Sequence, residues 1–360
     1  MHLYPYTGLK LVRTLLFSGA LSATTTVGAW LTGVTPHHAL AGVPGSAEWR
    51  AAVAAVTPGE AAPDPSSASP AEVARFFSGL SSDQRLALVR RDPGVVGNLE
   101  GAPDDLRYAA NLLSARLKTP GRLLGYDPRG SGHIIEVFGD PATADRIAVL
   151  VPGVDWRLSS VLTRTGSAKA NPVTGAQALR SATSRLSPGA STAVVVWLGY
   201  DPPQTIGRDA ARSDRAIEGA PALARFVNDL PGTGKITLVG HSYGTIVCAR
   251  AASRLPSRVT GLVALASPGM DASTVDDLHT RAQVWAARAD DDPIALTPHV
   301  RIAGYGHSTD PVTPDFGAQV FRTGTAHGHG DYYKPGTESL LNLARIVVGQ
   351  DSAVTLTGGS

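Results

Sequence analysis

Gly240-His241-Ser242-Tyr243-Gly244 is the stretch on which the reading of this chain turns. It follows an apolar run, Ile236-Thr237-Leu238-Val239, and precedes a small-residue stretch of helical character from Thr245 to Arg254. The implied local order is strand, sharp turn, helix, with a serine at the turn. A serine held there adopts a strained backbone conformation. The flanking glycines are required because a side chain would collide with the neighbouring strand and helix. The hydroxyl then stands exposed above the sheet beside a helix N-terminus, placed to attack a carbonyl. The bare G-x-S-x-G pattern arises by chance in chains rich in Gly and Ser, and it is the strand-turn-helix context that gives it meaning.

Working outward, Arg146 to Val151, Thr192 to Leu198, Val259 to Leu265 and Ala282 to Arg288 are further apolar runs of strand length, and Gln319 to Phe321 is a last short one. Helical stretches lie between them, reaching Leu186 and Leu230, and Thr337 to Val348 reads as a closing helix. Apolar strands alternating with helices imply a parallel sheet covered on both faces. Ahead of these, Arg122 to Tyr126 and His133 to Phe138 flank Pro128-Arg129-Gly130-Ser131-Gly132, the pattern of a hairpin. An antiparallel hairpin opening such a sheet, with a serine elbow after the fifth strand, is the layout of an α/β-hydrolase. That domain is expected over residues 121–350, with residues 351–360 as a tail.

Upstream, residues 1–41 read as a secretory signal. Lys10 and Arg13 supply a basic start, Leu15 to Val34 is apolar and uncharged, and Ala39-Leu40-Ala41 is an A-x-A cleavage site before Gly42. The expectation is export; left uncleaved, the same run would anchor the chain in the membrane at the cell envelope. Residues 42–70 read as a linker on the strength of the Pro- and Ser-rich run from Thr57 to Pro70. Residues 71–120 form a helical region. One helix opens at Pro70 with Val73, Phe76, Phe77 and Leu80, and a second follows a cap near Ser82-Asp83. A third runs from about Pro103 to Leu117. Such amphipathic helices need a larger body to pack on.

A serine hydroxyl is a poor nucleophile at neutral pH. It needs a histidine base, and the histidine needs a carboxylate to fix its tautomer. The expected chain order is Ser, acid, His. The acid should follow the run ending at Arg288, where Asp290-Asp291-Asp292-Pro293-Ile294 stands. Asp292 is preferred because Pro293-Ile294 turns the chain from it into an apolar residue, and Asp290 is the other candidate. The base should lie between the last strand and the last helix, where His327 and His329 both occur. Their i, i+2 spacing points them apart, so one faces the serine, and His329 is preferred. His327, His329 and Asp331 alone are too few for a metal centre, and no metal or organic cofactor is expected. His307 reads as a loop or pocket-rim residue, and His241 as orienting or packing within the elbow. The oxyanion needs backbone donors. The Tyr243 amide is one, and the Val154 amide, in Pro152-Gly153-Val154-Asp155-Trp156, is the other. Tyr200 and Asp201, at the end of a strand in Trp197-Leu198-Gly199-Tyr200-Asp201, either line the crevice or belong to a turn stabilised by Asp201 and the prolines after it.

Composition narrows the function. A net charge of +2 with both signs scattered shows no basic stripe, which excludes the usual nucleic-acid footprint. The single cysteine, Cys248, rules out an internal disulfide and reads as a small buried hydrophobe.

Trp197-Leu198-Gly199-Tyr200-Asp201, the Ser242 elbow, Ser267-Pro268-Gly269, Val284-Trp285-Ala286-Ala287, and Gly328-His329 through Glu338-Ser339-Leu340 together resemble an actinobacterial α/β-hydrolase family of unknown function. The resemblance covers roughly residues 70–350 and implies the fold and His329 as the base. That family shows Gly-His-Ser before its aromatic pair, whereas here Gly330 replaces the serine and His327 precedes. The resulting expectation is a secreted serine hydrolase of carboxylesterase or lipase type, acting on a small-molecule or lipid ester. Two other readings are an acyltransferase on cell-envelope lipids and a non-catalytic envelope-binding module on the same scaffold.

Overall fold

The computed structural model describes residues 43–116, 122–163 and 171–358. The segment read as a signal, residues 1–41, lies outside them. Eight strands form one sheet in the order β1-β2-β4-β3-β5-β6-β8-β10. These are β1 (Arg122–Asp127), β2 (His133–Phe138), β3 (Arg146–Val151), β4 (Thr192–Leu198), β5 (Lys235–His241), β6 (Val259–Leu265), β8 (Gln283–Ala287) and β10 (Gln319–Val320). A separate parallel pair joins β7 (Gly269–Ala272) to β9 (His307–Ser308). Strand β2 is antiparallel to both β1 and β4, and the remaining pairs of the sheet are parallel.

The strands follow from their composition. Every residue of β4, and all of β3 after Arg146, is buried, as a parallel sheet covered on both faces requires. Around it lie α6 (Leu158–Thr163), α7 (Pro172–Leu186), α8 (Asp214–Asp229), α9 (Gly244–Ala251) and α10 (Glu338–Val348). Their buried faces, such as Leu223 and Val227 of α8 and Leu343 and Val347 of α10, join the sheet's residues in one continuous core. Among the described residues no helix is long and apolar enough to cross a membrane.

The strand order reverses between β3 and β5. Strand β4 lies on one side of that pair and β6 on the other, so connections leave in opposite directions and open a crevice at the strands' C-terminal ends. Val151 is in register with Gly240. The turn after β3 and the turn after β5 therefore emerge side by side.

Upstream of the sheet stand α1 (Ser46–Val56), α2 (Pro70–Ser78), α3 (Ser82–Arg91), α4 (Pro93–Asn98) and α5 (Asp104–Ala115). The expected linker over residues 42–70 is corrected here. Ser46–Val56 is a helix, and Trp49 and Val53 are buried in a second apolar cluster with Val73, Phe77 and Leu88. Trp49, Ala52 and Val53, with Val56 packed beside them, are enough to seat an Ala-rich run. Helix α4 is a second addition. Pro93 occupies the first turn, where its missing N–H costs nothing, and Asp92 caps the helix by accepting from the Val95 amide at 3.2 Å.

These helices close the open edge of β1 with side chains. Asn98 Nδ2 donates to the Tyr126 carbonyl at 2.8 Å, and its Oδ1 accepts from the Tyr126 amide at 2.8 Å, copying a strand partner. Asn111 donates to Leu123 O at 2.9 Å, and Arg107 donates to Leu124 O. An unpaired edge is a template for aggregation, and here it is occupied. The other edge is closed by the segment read as a tail. Arg322 N donates to Thr355 O, Thr357 N donates to Val320 O, and Val354 is buried.

Candidate active site

Ser242 has φ 54, in the left-handed region that a β-substituted residue rarely adopts. Its amide donates to Leu265 O at 2.9 Å, which ties the turn to β6. The neighbouring glycines have no room for a side chain. A Cβ on Gly240 would lie 2.6 Å from Thr245 Cα, and one on Gly244 would lie 2.1 Å from Val151 O. The strain is therefore held from both sides by packed backbone.

The turn after β3 presses on the same point. A Cβ on Gly153 would stand 2.7 Å from His241 O, 2.8 Å from Ser242 Cβ and 2.8 Å from Tyr243 N. Val154 follows directly, half-buried against the core. This turn is braced by the segment after β4. Tyr200 Oη donates to the Pro152 carbonyl at 2.7 Å, and Asp155 N donates to Pro203 O at 2.9 Å. Of the two readings, the structural one fits the position of Tyr200 better. It is 3% exposed and supports the turn from beneath, stacked on Trp197. Asp201 reaches His133 of β2, 3.3 Å away.

Of the three consecutive aspartates, Asp290 and Asp291 are exposed and Asp292 is buried. His329 Nδ1 donates to Asp292 at 2.9 Å from Oδ1 and 3.2 Å from Oδ2. Two further donors complete the carboxylate. Tyr332 Oη donates to Oδ2 at 2.6 Å, and the Ile294 amide donates to Oδ1 at 2.9 Å. Burial alone would raise this carboxyl's pKa, but the hydrogen bonds from His329 and Tyr332 outweigh it and hold the group below the ordinary carboxylate range. Tyr332 and the Ile294 amide are absent from the sequence reading. A tyrosine three residues past His329 was the available signal. His327 goes elsewhere: its Nδ1 lies 3.2 Å from the exposed Asp291, which also accepts from Gly328 N at 2.7 Å.

His241 connects the two halves of the site. Its Nε2 donates to the His329 carbonyl at 2.8 Å, and the two rings lie 4.9 Å apart. The residue before the serine thus touches the loop that carries the partner of Asp292. His307, read as a loop or pocket-rim residue, lies in the short strand β9 and is 1% exposed. Its Nε2 donates to Ala210 O at 2.8 Å and its Nδ1 is 3.2 Å from Asp271. Asp271 is also paired with Arg250 of α9, at 2.6 Å, and with Arg301, at 3.2 Å. Burial pushes the Asp271 carboxyl up, but hydrogen bonds from His307, Ser213 and Arg250 bring it down to about 2. This ionic cluster fastens the loops around residues 210 and 301–307 to the helix behind the serine.

Residues 127–302 match a protein family described as alpha/beta hydrolase, a span that holds Ser242 and Asp292 and ends before His329. With the sheet order and the elbow, that decides the architecture. The fold is an α/β-hydrolase fold. Uncharacterized proteins from two strains of Mycobacterium tuberculosis are 28% identical over 82% of this chain, and the chain spans 58% of their length. Among solved structures, a predicted CIB-like hydrolase from Thermoplasma acidophilum aligns with 64% of this chain and 96% of its own, at 14% identity and TM-score 0.37. An esterase from Pyrobaculum calidifontis aligns over 62% and 84%, at 14% identity and TM-score 0.37. Likeness at that level says nothing of substrate. Within the α/β-hydrolase fold, the strained serine and the His329–Asp292 pair stand at the end of the sheet where the strand order reverses. Among the described residues, no group of three or more His, Cys, Asp or Glu side chains could hold a metal ion.

Proposed function

We propose that this chain is a secreted serine hydrolase that cleaves a carboxylic ester. One observation carries the reading: His329 is held by a buried, fully hydrogen-bonded carboxylate and is joined through its carbonyl to the residue preceding Ser242. A histidine whose Nδ1–H is committed to a carboxylate keeps Nε2 as the base. Ser242 Oγ attacks the ester carbonyl while His329 Nε2 takes its proton. The tetrahedral oxyanion is met by the Tyr243 and Val154 amides. Collapse expels the alcohol, which leaves with the proton from His329. Water, deprotonated by the same nitrogen, then releases the acid from the acyl-serine.

The loops near this end of the sheet favour an apolar acyl group. Leu296, four residues after Asp292, is 85% exposed, and Ile302 and Ile206 are 70% and 91% exposed. The segments bearing Ile206 and Ile302 are joined by the Gly306 N to Ala211 O and Arg208 to Tyr305 hydrogen bonds. Turnover of p-nitrophenyl esters from acetate to dodecanoate by wild type and Ser242→Ala tests the reading. Activity of the wild type only, highest with the longer acyl chains, is expected. A folded wild type that turns over none of them contradicts it.

A further inference from the structure

We propose that His241 is a positioning residue that fixes the base loop against the nucleophile elbow by donating its Nε2–H to the carbonyl of His329. This rests on the reading of Ser242 as nucleophile and His329 as base.

The need for such an anchor is local. His329 sits between Gly328 and Gly330, and Gly328 has φ 59 with open space where a Cβ would lie. A Gly-His-Gly run has little conformational preference of its own. The hydrogen bond to Asp292 orients the imidazole, and the exposed Asp291 holds Gly328 N, but neither contact ties the main chain to the elbow. The 2.8 Å hydrogen bond from His241 to the His329 carbonyl supplies that tie. It comes from the elbow itself, one residue from Ser242, so it couples the position of the base to the position of the nucleophile rather than to a distant part of the fold. Gly330 and Asp331 then lead into Tyr332, whose hydroxyl reaches Asp292. The loop is thereby held on both sides of the imidazole, and His241 is the contact that comes from the elbow.

The chemistry of His241 suits the task. Its ring is packed beside His329, against the edge of Tyr332 at 5.7 Å and near Tyr333 at 6.5 Å. Desolvation, and the repulsion of a charge on His329, lower its pKa to about 3, while the hydrogen bond to the His329 carbonyl and, less, Asp292 oppose the shift. His241 therefore stays neutral when His329 becomes imidazolium during catalysis, and the carbonyl acceptor fixes its proton on Nε2. A cationic donor at this position would oppose the charge that the base must acquire.

Glutamine can place an amide N–H where the histidine Nε2 stands, asparagine is too short, and phenylalanine fills the ring volume without a donor. The three substitutions therefore separate donation from packing. With p-nitrophenyl butyrate as probe, His241→Gln should keep kcat within about 3-fold of wild type. His241→Phe and His241→Asn should lose roughly 10- to 100-fold in kcat with little change in KM, the scale of a small misplacement of a reacting group. Thermal unfolding of each variant shows whether it folds. If the Phe variant does not, the Gln and Asn pair still decides. Equal kcat in the Gln and Asn variants, or a folded Phe variant with wild-type kcat, overturns the proposal. Failure of wild type itself to turn over the ester or to react with a fluorophosphonate would instead overturn the reading on which it rests.

Discussion

His329 Nδ1 lies 2.9 Å from Asp292, whose side chain is 0% exposed, although the histidine itself is 37% exposed. A buried acceptor facing a partly open imidazole is the asymmetry a general base needs. The carboxylate is shielded from competing water, while the imidazole stays partly open to solvent. Two residues earlier, His327 and Asp291 form the same kind of pair at 3.2 Å with both side chains exposed, at 72% and 56%. The chain thus contains a matched pair of His–Asp contacts that differ chiefly in burial.

That contrast gives the first prediction. His329→Ala should lower kcat by at least about 1,000-fold, and Asp292→Asn by roughly 1,000- to 10,000-fold through the wrong tautomer. His327→Ala and Asp291→Asn should stay within about 3-fold, because an exposed pair of this kind contributes little. Steady-state ester hydrolysis by the four purified variants provides the check, and a large loss in His327→Ala would reverse the assignment of the base.

Gly153 lies where three backbone or Cβ atoms of the elbow converge within 2.8 Å of a Cβ. Gly153→Ala should therefore move the turn after β3 away from Ser242. A fall in kcat of about 100-fold is expected, together with a stability cost of about 1–3 kcal/mol from overpacking. Kinetics and urea unfolding of the same preparation separate the two effects.

Asn98 supplies both hydrogen bonds that satisfy Tyr126 on the edge strand. Asn98→Ala should cost about 1–3 kcal/mol, because the amide and carbonyl of Tyr126 lose their partner. It should also raise the fraction of aggregate on size-exclusion chromatography, since the edge of β1 is then partly open. Activity of the remaining monomer should be unchanged, as α4 lies at the far edge of the sheet from Ser242.

Asp92 is 5% exposed, and burial, with a smaller contribution from Glu48, raises its carboxyl from an ordinary 3.8 to about 6 despite the Val95 amide. The folded state therefore binds more protons than the unfolded state between these values. Stability contributed by this group is full below pH about 4 and is lost as pH rises towards 6 and beyond, by an amount of order 3 kcal/mol. Asp92→Asn keeps an acceptor for the Val95 amide and removes the titration. The difference in unfolding free energy between variant and wild type should grow from about pH 4 to pH 7 in favour of the variant, and a constant difference would contradict the sign.

The sheet was legible in the sequence because parallel strands buried on both faces are continuous apolar runs, as Thr192 to Leu198 illustrates. Ser242, Asp292 and His329 could be singled out by chain order and by flanking residues such as Pro293-Ile294. What escaped is tertiary. No local pattern announces that Tyr332 will reach Asp292, that Tyr200 will support Pro152 rather than face the crevice, or that His307 will be buried against Asp271. Helix α1 was hidden in an Ala-rich stretch because few large apolar residues, Trp49, Val53 and Val56, mark its packed face, and composition alone drew the linker too long. The tail shows the same limit: Thr355 and Thr357 pair with the last strand through backbone groups, which carry no residue-specific signal.

The central claim is that Ser242 is a nucleophile activated by His329, and covalent labelling tests it most directly. The purified protein is treated with a fluorophosphonate, and the adduct is located by peptide mass spectrometry, with Ser242→Ala and His329→Ala in parallel. The account predicts one stoichiometric adduct on Ser242 in the wild type, none in Ser242→Ala, and labelling slowed by at least about 100-fold in His329→Ala. A folded wild type that remains unlabelled, or an adduct that persists on another residue in Ser242→Ala, would contradict it.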